Sequence, residues 1–242
     1  NADCRSEEIE RTTCIRNPGT GEVIYTPPRS GVAIRSLIAN WIDFLQQDAD
    51  FDPLVRMAVA HYQFEAIHPF VDGNGRTGRI LNIHFLHSQS LISHPTLYLS
   101  RYFLQTRKGY YLGLRAVTES GAWESWVLYV LTAIEVTALE AAAKRLDMKR
   151  LLNSQMDAAR QLLGRGYSKE LMEHVFAYPY TRATSASAAL EVSPLTATKS
   201  LDKLTGAGIL RKVKKGRNVF YVNDPLIEKL IPDTPEPGFP AS

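Results

Sequence analysis

The chain has 242 residues, 45% of them hydrophobic, and a formal net charge of +3, enough for one large core plus a small domain. No apolar run approaches the roughly 20 residues a membrane helix requires, no signal peptide is visible, and the composition suits a soluble enzyme without a membrane partner. The only two cysteines, Cys4 and Cys14, lack CxxC spacing and fit a reducing cytoplasm, while Asn1 in place of Met reads as the start of a fragment.

In chain order, Gly21 to Tyr25 followed by Thr26-Pro27-Pro28 reads as a short strand ended by prolines, with an edge an extended segment can pair with. Pro53 to Ile67 carries Leu54, Met57, Ala58, His61, Tyr62 and Phe64 at helical spacing. Pro69 disfavours the α conformation for His68, so this helix stops there, with the imidazole at its exit and His61 on the core side. Asp72-Gly73-Asn74-Gly75 is a tight loop, and Ile80, Leu81, Ile83, His84 and Phe85 restart a helix near Gly75 or Arg76. His84 and His87 lack further ligands at metal-site spacing. A helical stretch from Ala122 to Leu163, with a solvated charged face over Lys144 to Arg150, breaks at Gly164-Arg165-Gly166.

Beyond that break, Tyr167 to Tyr178 and Ser185 to Leu190 predict two helices. Ser193-Pro194 opens a third that runs to Leu204. Leu210 to Val213 and Asn218 to Val222 alternate around Lys215-Gly216-Arg217 as a two-stranded wing. The pattern resembles a winged helix-turn-helix, with Thr196, Lys199 and Lys203 on its recognition helix. Tyr167 to Asp224 holds nine Lys and Arg against five Asp and Glu, a net +4, whereas residues 1–166 hold eighteen against seventeen. Basic charge in a wing suggests DNA, since it neutralises phosphates and releases counterions. Docking of a target protein or of a second copy of the chain, as a homodimer, is the competing reading. The tail from Pro232 is Pro-rich and disordered by composition.

The stretch from His68 to Arg79, HPFVDGNGRTGR, holds the densest chemistry. His68 is a base for a hydroxyl, Asp72 an oxygen ligand for Mg²⁺, Gly73 and Gly75 admit phosphate to backbone N–H groups, and Arg76 and Arg79 supply cations. A Walker-type phosphate loop is excluded, because a helix rather than a strand precedes and no Gly-Lys-Ser/Thr follows.

His68, Phe70, Asp72, Gly73, Asn74, Gly75, Arg76 and Arg79 match the Fic signature HxFx(D/E)GNGRxxR, and GEVIYTPP, YLSRYF, Tyr110-Tyr111 and Trp123-Glu124-Ser125-Trp126 extend the resemblance over about residues 12–163. It implies a mainly α fold: a helical Fic core over 1–166 with a β-hairpin flap at about 19–28, the winged helix-turn-helix over 167–231 and the tail over 232–242. It further implies that this core lacks some of the N-terminal helices usual in the family. The resemblance also implies a protein AMP transferase using ATP and Mg²⁺, with His68 as general base for a Ser, Thr or Tyr hydroxyl and Asp72 on the metal. Gly73, Asn74, Gly75 and Arg76 would hold the α phosphate, Arg76 and Arg79 the outer phosphates, and Tyr110 and Tyr111 the adenosine; Phe70 packs. The target would dock on the flap near Val23–Tyr25. Ser6 to Glu10 imitates the family's inhibitory motif (S/T)xxxE(G/N), but Arg11 replaces its last residue and little chain separates Glu10 from the flap, so Arg79 is expected to remain available. The rival function is a DNA-binding regulator whose core senses nucleotide without transferring it; phosphoryl transfer and AMP removal are the other chemistries kept open.

Overall fold

The computed structural model describes residues 15–16, 23–46 and 51–231. Cys4, Cys14, the Ser6–Glu10 segment, the flap up to Glu22 and the proline-rich tail lie outside the described residues. The protein is mainly helical, with two small antiparallel sheets, and divides into two compact units, Asn1–Ala141 and Ala142–Ser242.

Among the described residues, the first unit starts with β1 (Ile15–Arg16) paired antiparallel to β2 (Val23–Tyr25). Then follow α1 (Gly31–Gln46), α2 (Pro53–Ile67), α3 (Asn74–Ser88), α4 (Leu99–Gln105), α5 (Arg107–Ser120) and the first part of α6 (Trp123–Leu163). The helix α1 has no counterpart among the expected elements; α2 has the expected bounds. Asp52 caps α2 by accepting a 2.7 Å bond from the Leu54 N–H, and Pro53 occupies a first-turn position where its missing N–H costs nothing.

The helix α2 packs against both α1 and α3 and sends Met57 and Ala58 into a core shared with Leu86, Phe103, Tyr110 and Trp126. Trp126 is fully buried and donates its indole N–H to the Ala58 carbonyl at 2.8 Å, so truncating it to Ala costs about 3–5 kcal/mol. Gly113 lets α5 approach that ring: a Cβ there would meet Trp126 at 2.8 Å. The stretch starting at Trp123 is apolar enough, by length and composition, to cross a membrane, with a mean hydropathy of 1.5 over 18 residues, which corrects the expectation that no run comes close. Its Trp126, Val130 and Ala133 are nonetheless spent on the first unit's core.

In the second unit, a 3₁₀ turn at Gly164–Gly166 occupies the expected break. After it come α7 (Lys169–Ala177), β3 (Tyr180–Thr181), α8 (Ala183–Leu190), α9 (Pro194–Gly206), β4 (Arg211–Lys215), β5 (Asn218–Val222) and α10 (Asp224–Leu230). Ser168 and Ser193 cap α7 and α9, each worth about 1 kcal/mol. Gly216, at φ 61°, opens the two-residue turn that sets Lys215 opposite Asn218. The sheet order is β3-β5-β4, so a third strand joins the expected pair. Leu171, Met172, Leu201, Leu204 and Tyr221 form the core, which also takes Ala159 and Leu163 from α6, upstream of the break at which the sequence reading begins its second domain. Gln155 and Asn223 exchange two side-chain hydrogen bonds of 3.1 and 3.0 Å in this interior, so neither buried amide is left unsatisfied.

Candidate active site

His68 sits at the C-terminal cap of α2 with φ 50° and ψ 57°, the left-handed conformation that β-carbon-bearing residues adopt at a cost of about 1–2 kcal/mol. Its N–H closes the helix on the Phe64 carbonyl at 3.0 Å, and its Nδ1 lies 3.3 Å from the Glu65 carbonyl. In the tautomer that donates this bond, Nε2 carries the lone pair. The prolyl ring that follows prevents a further helical turn, so the chain leaves the helix with the imidazole at its end.

The loop is tied by two devices. Asp72 accepts a 2.6 Å bond from the Gly73 N–H through Oδ1 and meets Arg76 at 3.2 Å through Oδ2. Asn74, 2% exposed, donates to the Phe70 carbonyl and accepts from the Phe70 N–H, both at 2.8 Å. The amide is thereby a clamp that spans the loop's ends. The next helix begins at Asn74, slightly earlier than expected, with Gly73 at φ 83° in the cap position. Because the first cap bond runs from the Thr77 N–H to the Gly73 carbonyl, the N–H groups of Asn74, Gly75 and Arg76 precede the helical ladder and open on the positive end of the α3 dipole.

Arg79, one turn on, is held through Nε by the Ser100 hydroxyl of α4 at 3.0 Å. A Cβ on Gly75 would come within 2.9 Å of its guanidinium, so that glycine makes room for the arginine as well as for a ligand. Arg76 and Asp72 form an exposed i,i+4 pair, their side chains 68% and 90% accessible, of the kind worth at most about 1 kcal/mol and readily exchanged for another partner.

A pocket of about 390 Å³ gathers His68, Gly75, Arg79, Tyr110 and Tyr111 of the expected residues, together with Tyr25 and Glu65. Asp72, Gly73, Asn74 and Arg76 do not line it. Tyr25 bonds the Ala66 carbonyl at 3.0 Å, fastening β2 beside the exit of α2. Tyr110 presents little to the pocket: it is 5% exposed and its hydroxyl lies 3.0 Å from His61 Nε2. Tyr111 is half-buried, edge-on to Tyr110.

Behind the pocket lies a titratable pair. His61, fully buried and stacked on Phe103, has its pKa lowered to about 3 by desolvation, with Arg79 adding to the effect. Burial pushes the Glu65 carboxyl up to about 7 against the opposing pull of Arg79. Glu65 is the residue the sequence reading passed over. Its spacing was the available signal: residues 61, 65 and 68 fall on one helical face.

Residues 4–86 match the Fic/DOC family model, and residues 151–226 match that of the protein adenylyltransferase SoFic-like C-terminal domain. Residues 4–86 are thus similar to the Fic/DOC family, and residues 151–226 to that C-terminal domain. Protein adenylyltransferase fic-1 of Caenorhabditis briggsae is 35% identical over 109 residues, 44% of this chain and 20% of that protein. The Caenorhabditis elegans fic-1 protein is 31% identical over 131 residues, 52% and 24% of the respective chains. A probable protein adenylyltransferase of Aquifex aeolicus is 40% identical over 57 residues, 24% of this chain and 18% of that one. The chain thus spans about a quarter or less of these relatives. A Fic family protein from Desulfovibrio desulfuricans G20, solved by crystallography, aligns over 82% of this chain and 57% of its own, with 20% identity and a TM-score of 0.47. The Fic/DOC match runs past β1 into α3, to Leu86, and hence contains the whole loop from His68 to Arg79.

Proposed function

We propose that the Fic domain transfers AMP from ATP to a Ser, Thr or Tyr hydroxyl of a protein. The observation that carries this reading is the convergence of His68, the Gly75 end of α3 and Arg79 on one pocket. The hydroxyl oxygen attacks the α phosphorus while its proton passes to His68 Nε2. The bond from that phosphorus to the β-phosphate oxygen breaks, and pyrophosphate leaves with the electron pair. The N–H groups at the start of α3 stabilise the charge that develops on the α phosphate, and Arg76 and Arg79 that on the leaving group.

Asp72 suits Mg²⁺, which is commonly held by one or two carboxylates together with substrate phosphates, and its exposed carboxylate meets only Arg76 and the Gly73 N–H in the described contacts. When bound, the ion would neutralise phosphate charge. The target segment docks along β2, which is paired with β1 on one side among the described residues, in a cytoplasmic setting. Incubation with candidate targets and ATP labelled at the α or the γ phosphate tests the reading. Protein label from α supports it; label from γ means phosphorylation; neither favours a nucleotide-sensing regulator.

For the C-terminal unit we propose a winged helix that binds DNA, on the observation that Lys199 and Lys203 of α9 and Lys214, Lys215 and Arg217 of the hairpin are exposed and have no ion pair among the described residues. Binding of a duplex at low salt that weakens steeply with added salt supports this; its absence moves the unit to protein docking, whether of a target or of a second copy.

A further inference from the structure

Glu65 lies one turn before His68 on α2, in the wall of the pocket that holds Arg79. It is 7% exposed, and its Oε1 has no hydrogen-bond partner. That oxygen faces Gly78 of α3, where a Cβ would come within 2.6 Å, so the two helices enclose the carboxyl. The titratable and charged groups around it and in the same pocket wall are His61 and Tyr62 from its own helix, His68 at that helix's cap, Arg79 from α3, Tyr110, Tyr111, Arg115 and Glu119 from α5, and Tyr25 from β2. His61 is stacked in the core and meets the Tyr110 hydroxyl, so neither is a cation that offsets the carboxylate. Arg79 is the cation that acts on Glu65, and Ser100 restrains its guanidinium from swinging away.

We propose that Glu65 is a positioning residue that couples anion binding to proton uptake: ionised, it shares the charge of Arg79, and it takes up one proton from solvent when a polyphosphate settles on that arginine. The proposal rests on the reading of the pocket as a nucleotide site. Two anions cannot both draw on one guanidinium in a desolvated space without mutual repulsion, and of the two only the carboxyl can become neutral there. Its resting pKa of about 7 puts the exchange in the ordinary working range. The sign follows: below pH 6 Glu65 is already neutral and binding takes up nothing; near pH 8 it is mostly ionised and binding takes up close to one proton. ATP affinity then falls up to about tenfold between pH 6 and pH 8 through this group alone. In Glu65→Gln the carboxyl is replaced by a neutral isostere, and this component disappears.

The test is calorimetric titration of the full chain with ATP and Mg²⁺, in buffers of different ionisation enthalpy, at pH 6 and pH 8. His68→Ala serves as the common background, so that the imidazole does not contribute, and Glu65 is compared with Glu65→Gln. Protonation of ATP itself cancels in the difference. The expected result is a difference of half to one proton at pH 8 and near none at pH 6, with tighter binding by the Gln variant at pH 8. Equal proton uptake by two proteins that both bind ATP overturns the proposal and leaves the nucleotide reading intact. Failure of both to bind ATP overturns the two together. Should the Gln variant not fold, the infrared difference spectrum of the His68→Ala protein at pH 8 decides: a protonated-carboxyl band must appear on ATP binding, and its absence rejects the proposal.

Discussion

The loop after α2 and the hairpin of the C-terminal unit use the same charged residue types in opposite ways. At the loop, Asp72 and Arg76 meet through a single exposed contact of 3.2 Å, and Arg79 is steadied by a neutral hydroxyl. On the hairpin, Arg211 grips both oxygens of Asp224. Lys212 reaches Asp202 at 2.6 Å, on an oxygen that also receives the Tyr221 hydroxyl at 2.9 Å. These bonds hold Asp202 and Asp224 below the usual carboxylate range and raise Lys212. A charge already paired inside the unit is poorly placed to neutralise a ligand. Arg211 and Lys212 are therefore structural, while Arg76 and Arg79 stay exchangeable beside a helix N-terminus.

The loop side of this comparison is broken most decisively at His68. His68→Ala removes the proton acceptor and should lower AMP transfer by about 10²–10⁴-fold while leaving ATP binding within a few-fold of the parent. Asp72→Ala should also weaken Mg²⁺-dependent ATP binding. Label transfer from the α phosphate and equilibrium ATP binding, measured side by side, separate the two. Near-parental transfer by His68→Ala would remove the general-base assignment.

Gly78→Ala is the next largest effect. The added methyl would sit 2.6 Å from Glu65 Oε1 and 3.2 Å from the Phe64 ring, pushing α2 and α3 apart. Overpacking of this kind costs about 1–3 kcal/mol, read as a lower denaturant midpoint. An unchanged midpoint would mean the helices are less closely packed than this geometry has them.

What the sequence disclosed and what it hid follow from range. Pro53 to Ile67 was legible because a proline at one end, an X-Pro step at the other and a 3.6-residue period all lie within the segment. The N-terminus of α3 and the Ser193 cap of α9 were legible for similar local reasons. The clamp of Asn74 was not, since its partner is the backbone of Phe70 and depends on how the loop closes. Glu65 shares a helical face with His61 and His68, but its burial was not legible, because it depends on α3 covering it, which requires Gly78. The strand β3 has two residues, too few to show alternation, and exists through its pairing with β5.

A pH experiment sharpens the picture inside the first unit. The pKa of His61 falls to about 3 from 6.5 on folding, so the stability owed to its neutral form is complete above 6.5 and is lost as pH falls toward 3. By pH 4.5 the loss is about 2–3 kcal/mol. Glu65 has the opposite sign: with a folded pKa of about 7, its contribution is complete below 4.5 and is lost as pH rises through 7. His61→Gln should therefore flatten the acid limb of the melting-temperature profile, and Glu65→Gln the limb between pH 5 and 8. His174, also lowered by burial, acts in the second unit with the sign of His61, so His174→Gln is the control. Parallel profiles for parent and His61→Gln would show that the buried imidazole does not govern acid stability.

The smallest effect tests the hairpin side directly. If DNA binds the second unit, reversing the charge of Lys214, Lys215 and Arg217 should reduce affinity and lower the slope of log affinity against log salt by up to about three, since each phosphate contact contributes about 0.9. Arg211→Ala and Lys212→Ala remove two charges from the same strand, yet Asp224 and Asp202 already neutralise them. These substitutions should leave the salt slope within error of the parent, with any loss showing as reduced thermal stability instead. Fluorescence anisotropy over a salt series distinguishes the two sets. A slope that drops as far for Arg211 and Lys212 as for the other three would mean that internal pairing does not withhold a charge from a ligand, and the contrast between hairpin and loop would fail.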